Sequence, residues 1–356
     1  MAEASRLRVA VFWPKPRRDR WRLSLTNPQY PDLSDGLVFL EHHGVDVSIE
    51  ETQAFPFNPL INMHEFYSGL DPVRALRVAS RISRYDVIIC VGDATAFFLI
   101  LLKRLFRLNV RILLIDPAIS PGYAKRKRLQ DFVIPRADHV IVYGQVQLDY
   151  LEREYRLGAR ASFMLHRADT RFYCPPDVSL NRTDGYVYSV GLDVSRDFET
   201  LAAAARQCAD AGHANCRFRL QTTRPVTNPA PLVIENVPIS YAELRARYAN
   251  ATVVVLPLHD SLHAGGINTL LEAMAMGKAV VVSASKGIAD YVIDRQTARV
   301  VAPGDVSGMS RAIIELLASP SERKALGENA RGFVVRHCDN AVYAARLADT
   351  LRGVSG

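Results

Sequence analysis

Short apolar runs rich in valine and isoleucine alternate along the chain with longer amphipathic stretches. Such runs, bounded by turn residues, predict buried strands, and the longer stretches between them predict helices. In the first half we predict strands at residues 7–13, 45–49, 87–91, 110–115 and 139–142. A helix is predicted at residues 33–43, ended by Gly44. Strands that alternate with helices in this way form a parallel sheet.

A second series of the same kind begins after Pro175 and Pro176. It predicts strands at residues 186–190, 216–221, 252–256 and 279–283, and helices at residues 198–211 and 269–276. The fold class is therefore α/β, with two doubly wound parallel sheets. Residues 175–185 are the predicted linker between a first domain, residues 1–174, and a second domain, residues 175–335.

Composition narrows the class of protein. The chain has 356 residues, of which 49% are hydrophobic and 23% charged, and these are ordinary values for a globular protein. No apolar run reaches the roughly 20 residues of a membrane span, and the N-terminus lacks a signal-peptide pattern.

The five cysteines are scattered and odd in number, which predicts reduced thiols, a cytoplasmic protein and no zinc site. The net charge of +7 leaves nucleotide phosphates, anionic lipids and nucleic acid as candidate ligands.

Small and polar residues follow the predicted strands. Open α/β sheets bind ligands beyond the carboxyl ends of their strands. These ends carry Asp93 and Asp116 in the first half, and Gly191 and Thr223 in the second. Any one of them is best explained as a turn residue that ends a strand. As a set they predict two ligand-binding edges.

The segment from His259 to Ser283 carries the strongest local signal for an anion site. Gly265 and Gly266 allow a close approach of the backbone, and a helix predicted from Thr269 would direct its free amides and positive dipole end at a phosphate. Glu272 has a structural alternative, because Thr269-Leu-Leu-Glu272 fits a capping box.

These residues also resemble a known family. GGINTLLEAMAMGKAVVVSASKGIADYV (residues 265–292), RVVAPGD (299–305) and LGENAR (326–331) are similar to the donor-binding half of family-4-type GT-B glycosyltransferases, the glycosyl transferases group 1. LHRADTRFYCPP (165–176) and SVGLDVSRDFETL (189–201) extend the resemblance to about residues 135–345. It implies two Rossmann-like domains facing a central cleft, an acceptor side in residues 1–174, a donor side in residues 175–335, and a C-terminal helix near residues 336–352 that packs back on the first domain.

The resemblance also implies roles for individual residues. Glu272 would hold the ribose of a nucleotide-sugar donor, and Gly191 and Thr223 would lie at the donor site. Arg196 would neutralise the leaving group, although a surface ion pair with Asp197 is the alternative. The implied diphosphate loop consists of Gly265, Gly266, Ile267, Asn268 and Thr269.

Three positions depart from the family pattern. Ala264 stands where a glutamate normally engages the donor sugar. Leu192 and Asp193 replace a second basic residue, which leaves Arg196 alone. Asp116 occupies the place of a frequent histidine, and together with Asp93 it is a candidate general base on the acceptor side, with a strand-end cap as the alternative.

The predicted function is transfer of a sugar from a nucleotide-sugar donor to a hydroxyl acceptor: a glycan, a lipid-linked molecule or a small molecule. The resemblance implies retention of anomeric configuration. No cofactor or metal is expected, because no Asp-x-Asp triplet occurs in the chain and a helix dipole with Arg196 can stabilise the diphosphate. Two alternatives stay open: a catalytically inactive nucleotide-sugar-binding partner subunit, and a sugar-nucleotide epimerase of the same fold.

Basic and apolar residues combine in FFLILLKRLFRL, residues 97–108, and a second basic cluster, KRKR, lies at residues 125–128. Such pairs can seat a protein on an anionic membrane, here the inner face of the cell membrane. The alternative is a buried helix with a basic C-terminal end. A nucleic-acid partner is not expected, because the basic runs lack interleaved aromatic residues.

Overall fold

The computed structural model describes residues 6–15, 18–51, 70–117, 119, 126–176, 185–213, 216–227 and 229–355. They form two six-stranded sheets in which every strand pair is parallel. The predicted α/β class with two doubly wound parallel sheets is confirmed.

The chain divides into two compact units. The first is built from residues within 1–27, 32–164 and 341–356, and the second from residues within 28–31 and 165–340. The division therefore falls between Met164 and Leu165, ten residues before the boundary expected from the sequence. Residues 177–184 of the predicted linker lie outside the described residues.

The first sheet has the strand order β2-β1-β3-β4-β5-β6. Its strands are β1 (Leu7–Phe12), β2 (Val45–Ile49), β3 (Val87–Val91), β4 (Arg111–Ile115), β5 (His139–Val142) and β6 (Ala161–Phe163). The central strands are continuous apolar runs because both faces of a parallel sheet are covered by helices. Val9, Ala10, Val11 and Phe12 of β1 accordingly have no solvent exposure.

The second sheet has the order β12-β11-β10-β7-β8-β9. Its strands are β7 (Tyr186–Val190), β8 (Phe218–Gln221), β9 (Leu232–Glu235), β10 (Ala251–Leu256), β11 (Val280–Ser283) and β12 (Arg299–Val301). The order reverses at β7, where the chain first enters the sheet. In open α/β sheets such a reversal leaves a crevice at the carboxyl ends of the strands.

Helices connect the strands of both sheets. In the first unit they are α1 (Arg18–Thr26), α2 (Pro72–Ala79), α3 (Asp93–Phe106), α4 (Lys127–Val133) and α5 (Gln145–Tyr155). The second unit contains α6 (Phe198–Cys208), α7 (Tyr241–Asn250), α8 (Ile267–Ala275), α9 (Val306–Ala318) and α10 (Pro320–His337). Within the described residues, no helix combines the length and the apolar character that crossing a membrane requires.

The last helix, α11 (Asn340–Ser355), belongs largely to the first unit. The hydroxyls of Tyr343 and Tyr143 lie 3.1 Å apart, and Arg352 donates to the His43 carbonyl at 2.6 Å. The helix predicted near residues 336–352 is thus divided between the end of α10 and α11.

Some elements differ from the sequence predictions. Residues 37–43 form a 3-10 helix in place of the predicted α-helix, and Gly44 ends it with a positive φ of 71°. The short strands β6, β9 and β12 had no sequence prediction because three or four partly exposed residues show little periodicity.

Candidate functional site

The glycine-rich loop after β10 leads directly into helix α8. Gly266 is the N-cap residue, with φ 78° and ψ 4°, and no side chain caps the helix. The first-turn amides of an uncapped helix lack intrahelical acceptors, and they lie at the positive end of its dipole. This end of α8 can therefore bind an anion.

Arg196, in the loop after β7, lies against the first turn of α8 in the folded structure. Its side chain is buried, and its Nη2 donates to the hydroxyl of Thr269 at 2.8 Å. Its Nε and Nη1 have no hydrogen-bond partner among the residues that the structure describes. Burial lowers the pKa of Arg196 to about 10, which still leaves it charged at neutral pH. A buried cation with unsatisfied donors favours an anionic ligand.

Two glycines make room for this guanidinium. A Cβ added to Gly191, whose φ is 155°, would lie 2.5 Å from Arg196 Nε. A Cβ on Gly266 would lie 3.1 Å from Arg196 Cζ. The sequence predicted that Gly266 lets a ligand approach the backbone closely. In the structure the group that approaches the Gly266 backbone is the guanidinium of Arg196, which lies against the start of α8.

Gly265 has a different neighbour. Its Cβ would meet Ser195 Oγ at 2.0 Å, and it would lie 3.1 Å from Asp193 Oδ1. The same Oδ1 accepts a hydrogen bond from the Ser195 amide at 2.8 Å. Burial raises the pKa of Asp193, but the hydrogen bonds from Ser195 together with the charges of His263 and Arg196 hold that pKa below its usual range. A carboxylate therefore stands beside the glycine-rich loop, next to Ala264.

Glu272 lies inside α8, and the capping-box alternative is wrong. The helix begins at Ile267, so Thr269 is already a helical residue and its hydroxyl accepts from Arg196. Glu272 instead accepts a hydrogen bond of 2.9 Å from Tyr248 on α7. Burial raises the pKa of Glu272 to about 7, opposed by the hydrogen bond from Tyr248, by the nearby hydroxyl of Tyr173 and by the charge of Arg196.

The surface ion pair considered for Arg196 is also wrong. Asp197 is the N-cap residue of α6, and its carboxylate accepts from the Thr200 amide at 3.1 Å. Arg196 turns away from solvent toward α8, where Thr269 is its hydrogen-bond partner.

Arg224 is a second cation at this site that the sequence analysis missed. Its Nη1 donates to the carbonyl of Asp193 at 2.6 Å and to that of Arg196 at 3.2 Å. The available signal was position, because Arg224 follows exposed Thr223 at the carboxyl end of β8. The site thus holds two basic residues although only Arg196 was expected.

The acceptor-side candidates Asp93 and Asp116 lie in the first unit. Asp93, at the start of α3, is fully buried and accepts from Gln130 Nε2 at 3.1 Å and Arg126 Nη1 at 3.3 Å. Asp116 directly follows β4 and has a positive φ of 52°. Its amide donates to the Ile141 carbonyl at 2.9 Å. The two carboxylates thus follow neighbouring strands of the first sheet.

No metal centre is apparent in the described part of the chain, where no three His, Cys, Asp or Glu side chains are grouped to hold an ion. His259 and His263 stand four residues apart in the loop before α8. His259 is exposed, and its Nδ1 lies 3.6 Å from Asp197 Oδ2. Metal independence stays a prediction.

Comparison with known proteins finds a family match over the segment that contains this loop. Residues 233–333 match the model of the glycosyl transferases group 1, which confirms the resemblance over the segment that contains the glycine-rich loop and Glu272. A GDP-mannose-dependent alpha-(1-6)-phosphatidylinositol monomannoside mannosyltransferase from Mycolicibacterium smegmatis is 34% identical over 115 residues. That match covers 31% of this chain and 30% of the relative, so it spans less than a third of either protein.

Solved structures match over nearly the whole chain. Sucrose-phosphate synthase from Thermosynechococcus elongatus has a TM-score of 0.73 at 18% identity, covering 98% of this chain and 99% of that one. Anabaena HepE, solved in complex with UDP and glucose, has a TM-score of 0.65 at 14% identity, covering 98% of this chain and 100% of that one. At these identities the likeness shows the fold alone, and that fold is GT-B.

Proposed function

We propose that this chain, whose residues 233–333 carry the glycosyl transferases group 1 segment, is a glycosyltransferase that moves a sugar from a nucleotide-sugar donor to a hydroxyl acceptor. The observation that carries the proposal is the buried guanidinium of Arg196 at the uncapped start of α8, with Nε and Nη1 unpaired in the described structure. This arrangement suits a diphosphate, whose two negative groups would be bound by the guanidinium and by the positive end of the helix dipole.

The rest of a nucleotide-sugar donor fits the neighbouring side chains. In the proposed complex, Gly265, Gly266, Ile267, Asn268 and Thr269 surround the diphosphate, and ionised Glu272 accepts hydrogen bonds from ribose hydroxyls. The named ligands of related proteins support this donor class, since one relative is GDP-mannose-dependent and HepE was solved with UDP and glucose.

The chemistry asked of the protein is positioning and charge stabilisation. As the glycosidic bond breaks, negative charge grows on the departing diphosphate, and preorganised cations stabilise it more in the transition state than in the ground state. Arg196, the α8 dipole and Arg224 would supply that stabilisation without a metal. We further propose retention of configuration, with the departing phosphate oxygen taking the acceptor proton on the same face.

The acceptor side carries two proposed general bases, Asp93 and Asp116. Asp93 is already held by Arg126 and Gln130. We place the protein in the cytoplasm, at the face of an anionic membrane and without a nucleic-acid partner.

One observation favours an inactive nucleotide-sugar-binding subunit as the second candidate. Ala264 stands where the family has a glutamate, and it is buried, so position 264 offers no group to the donor sugar. Asp193 lies beside the same loop and is the nearest described carboxylate to Gly265. Its presence favours an active enzyme in which a different residue contacts the sugar.

A panel of UDP-, GDP- and dTDP-sugars, read by thermal shift and by release of nucleoside diphosphate, tests the proposal. A ligand at 100 times its dissociation constant stabilises a protein by about 2.7 kcal/mol. We expect one donor series to raise the melting temperature of wild type and of Arg336→Ala, which alters an exposed arginine on α10. Arg196→Ala should lose part of that shift.

The outcomes separate the candidates. Binding accompanied by hydrolysis or transfer supports the enzyme, binding without turnover supports the inactive subunit, and conversion of the free donor to another sugar isomer supports an epimerase. No response to any donor would contradict all three.

A further inference from the structure

Helices α2 and α3 of the first unit leave large apolar side chains in solvent. On α3, Leu105 is 69% exposed, Phe106 60% and Leu101 42%, and on α2 Leu76 is 53% exposed. The N-terminal part of α3 is buried, so the buried-helix alternative holds only for that part. Soluble proteins seldom expose contiguous apolar side chains without an interaction that uses them.

The apolar residues follow the period of a helix. Leu101 and Leu105 are four residues apart on α3, so they lie on one face, and Arg104 lies one turn from Leu101. Val73 and Leu76 are three apart on α2, which packs against α3. The side chains buried on these helices include Val78, Leu99 and Ile100. We call the opposite, solvent-facing side, formed by Val73, Leu76, Leu101 and Leu105, the α2–α3 face. Phe106 continues the stripe of buried Leu99 and Leu102 and is exposed at the end of α3.

The charge on these two helices and their flanking residues is positive where arginines have no acidic partner. Residues 72–111 contain eight arginines and lysines against two aspartates, but Arg74 is buried beside Asp71, and Arg77 and Arg81 pair with Glu50. Arg84, Arg104 and Arg107 are exposed, and each lacks an acidic partner among the described residues. Lys103 and Arg111 instead pair with Asp138. Lys125 of the second basic cluster lies outside the described residues.

We propose that the α2–α3 face docks this protein on an anionic lipid bilayer. Leucine side chains enter the boundary between headgroups and acyl chains, and Arg104 and Arg107 bind lipid phosphates beside them. The positive charge favours an anionic bilayer over a second copy of the chain as the partner. Two copies of one basic surface repel each other, whereas an anionic bilayer complements it. This deepens the membrane contact proposed above, and it is independent of donor chemistry because docking needs neither nucleotide nor sugar.

Co-sedimentation with vesicles tests the surface. We expect wild type to bind vesicles of phosphatidylcholine mixed with phosphatidylglycerol, to bind pure phosphatidylcholine weakly, and to dissociate as sodium chloride is raised. The double variant Arg104→Ser/Leu105→Ser should bind the anionic vesicles at least about tenfold more weakly, because it removes one cation and one inserting side chain.

A matched control lies on the other unit. Val335→Ser/Arg336→Ser also removes an exposed apolar residue and an exposed arginine from a helix, α10. It makes the same change in net charge, so it should bind as wild type does. Equal binding of the two double variants would overturn the proposal, as would equal binding of wild type to neutral and anionic vesicles.

A second measurement distinguishes lipid from a second copy of the chain. Size-exclusion chromatography with light scattering should give the same mass for wild type and Arg104→Ser/Leu105→Ser. A dimer that this variant dissociates would assign the α2–α3 face to self-association and overturn lipid docking. Donor-induced thermal shifts, unchanged in the variant, would show that the fold and the donor site are intact.

Discussion

Arg196 and Thr269 join the loop after β7 to the first turn of α8 through a hydrogen bond of 2.8 Å from Nη2 to the threonine hydroxyl. The bond fixes the guanidinium in a buried position between the glycine backbones at 191 and 266. It occupies one side of the guanidinium, and Nε and Nη1 find no acceptor in the described structure. The guanidinium of Arg196 is therefore a buried cation with hydrogen-bond donors left over for an anionic ligand.

Replacing Arg196 should reduce turnover more than donor affinity. We expect Arg196→Ala to lower kcat by roughly 10²-fold or more, because the interaction strengthens as charge develops on the leaving group. Arg196→Lys should restore part of the rate by returning the charge without the forked donor geometry. Steady-state kinetics over a range of donor concentrations separate kcat from KM.

Chelator controls belong to the same experiment. EDTA should leave wild-type turnover unchanged, and Arg336→Ala should match wild type. Inhibition by EDTA combined with normal turnover of Arg196→Ala would mean that a metal provides the charge.

Thr269 should matter through its hydroxyl alone. Thr269→Val keeps the shape of the side chain but removes the hydroxyl, so the Nη2 group of Arg196 loses its hydrogen-bond acceptor. Hydrogen bonds to charged groups contribute about 1.5–3 kcal/mol. We expect donor affinity, measured by titration calorimetry, to fall by roughly tenfold or more in Thr269→Val, whereas Thr269→Ser stays near wild type. Equal affinity in the valine and serine variants would show that the hydrogen bond does not position Arg196.

Gly265 is predicted to be intolerant of a side chain because of Ser195. In Gly265→Ala the new methyl group would meet Ser195 Oγ at 2.0 Å, so the loop before α8 must move and donor binding should be lost. Ser195→Gly removes the obstacle, and the double variant Gly265→Ala/Ser195→Gly should regain part of the affinity. Gly353→Ala, where an added Cβ meets nothing within 4 Å, is the matched control.

Two results would contradict this explanation. Wild-type donor affinity in Gly265→Ala would mean that the loop adapts freely. Circular dichroism showing global unfolding of the single variant would assign Gly265 to the fold.

Glu272 should make stability and donor binding respond to pH in opposite directions. Burial raises its pKa to about 7 in the folded protein, from an ordinary 4.5 when unfolded. Between these values the folded protein holds a proton that the unfolded chain has released. Wild-type stability therefore falls as pH rises through this range, by up to about 3 kcal/mol.

The variant Glu272→Gln should lack this dependence, because its neutral amide resembles the protonated acid. Urea unfolding should show similar stability for the two proteins near about pH 4 and a more stable variant near about pH 8. Wild-type donor affinity should rise over the same interval, since the ionised carboxylate accepts ribose hydroxyls. If the unfolding free energies of Glu272→Gln and wild type differ by the same amount at every pH, the pKa of Glu272 is not raised by folding.

Much of the sheet architecture could be predicted from the chain alone. The strands at residues 45–49, 87–91, 139–142 and 186–190 have the bounds that their apolar runs predicted. A run of β-branched residues buried on both faces has few alternatives to a central parallel strand, so local pattern and final structure agree. The glycine-rich loop and the helix after it were predictable for the same reason, since their signals lie within a few residues of each other.

The partners of the site residues needed the tertiary structure. Thr269 and Glu272 have the spacing of a capping box, yet one contacts Arg196 and the other Tyr248, residues from distant parts of the chain. Arg224 reaches the carbonyls of Asp193 and Arg196 only because β7 and β8 are neighbours in the sheet.

The same division explains the α2–α3 face. Its apolar and basic composition was visible in the sequence, but a pattern cannot tell whether a leucine such as Leu105 is covered by another element. That depends on which helices pack beside it, and such contacts are settled by chain topology. Local pattern determined the strands and the glycine-rich loop. Long-range packing decided which side chains are paired, buried or exposed, because periodicity carries no information about contacts between distant segments.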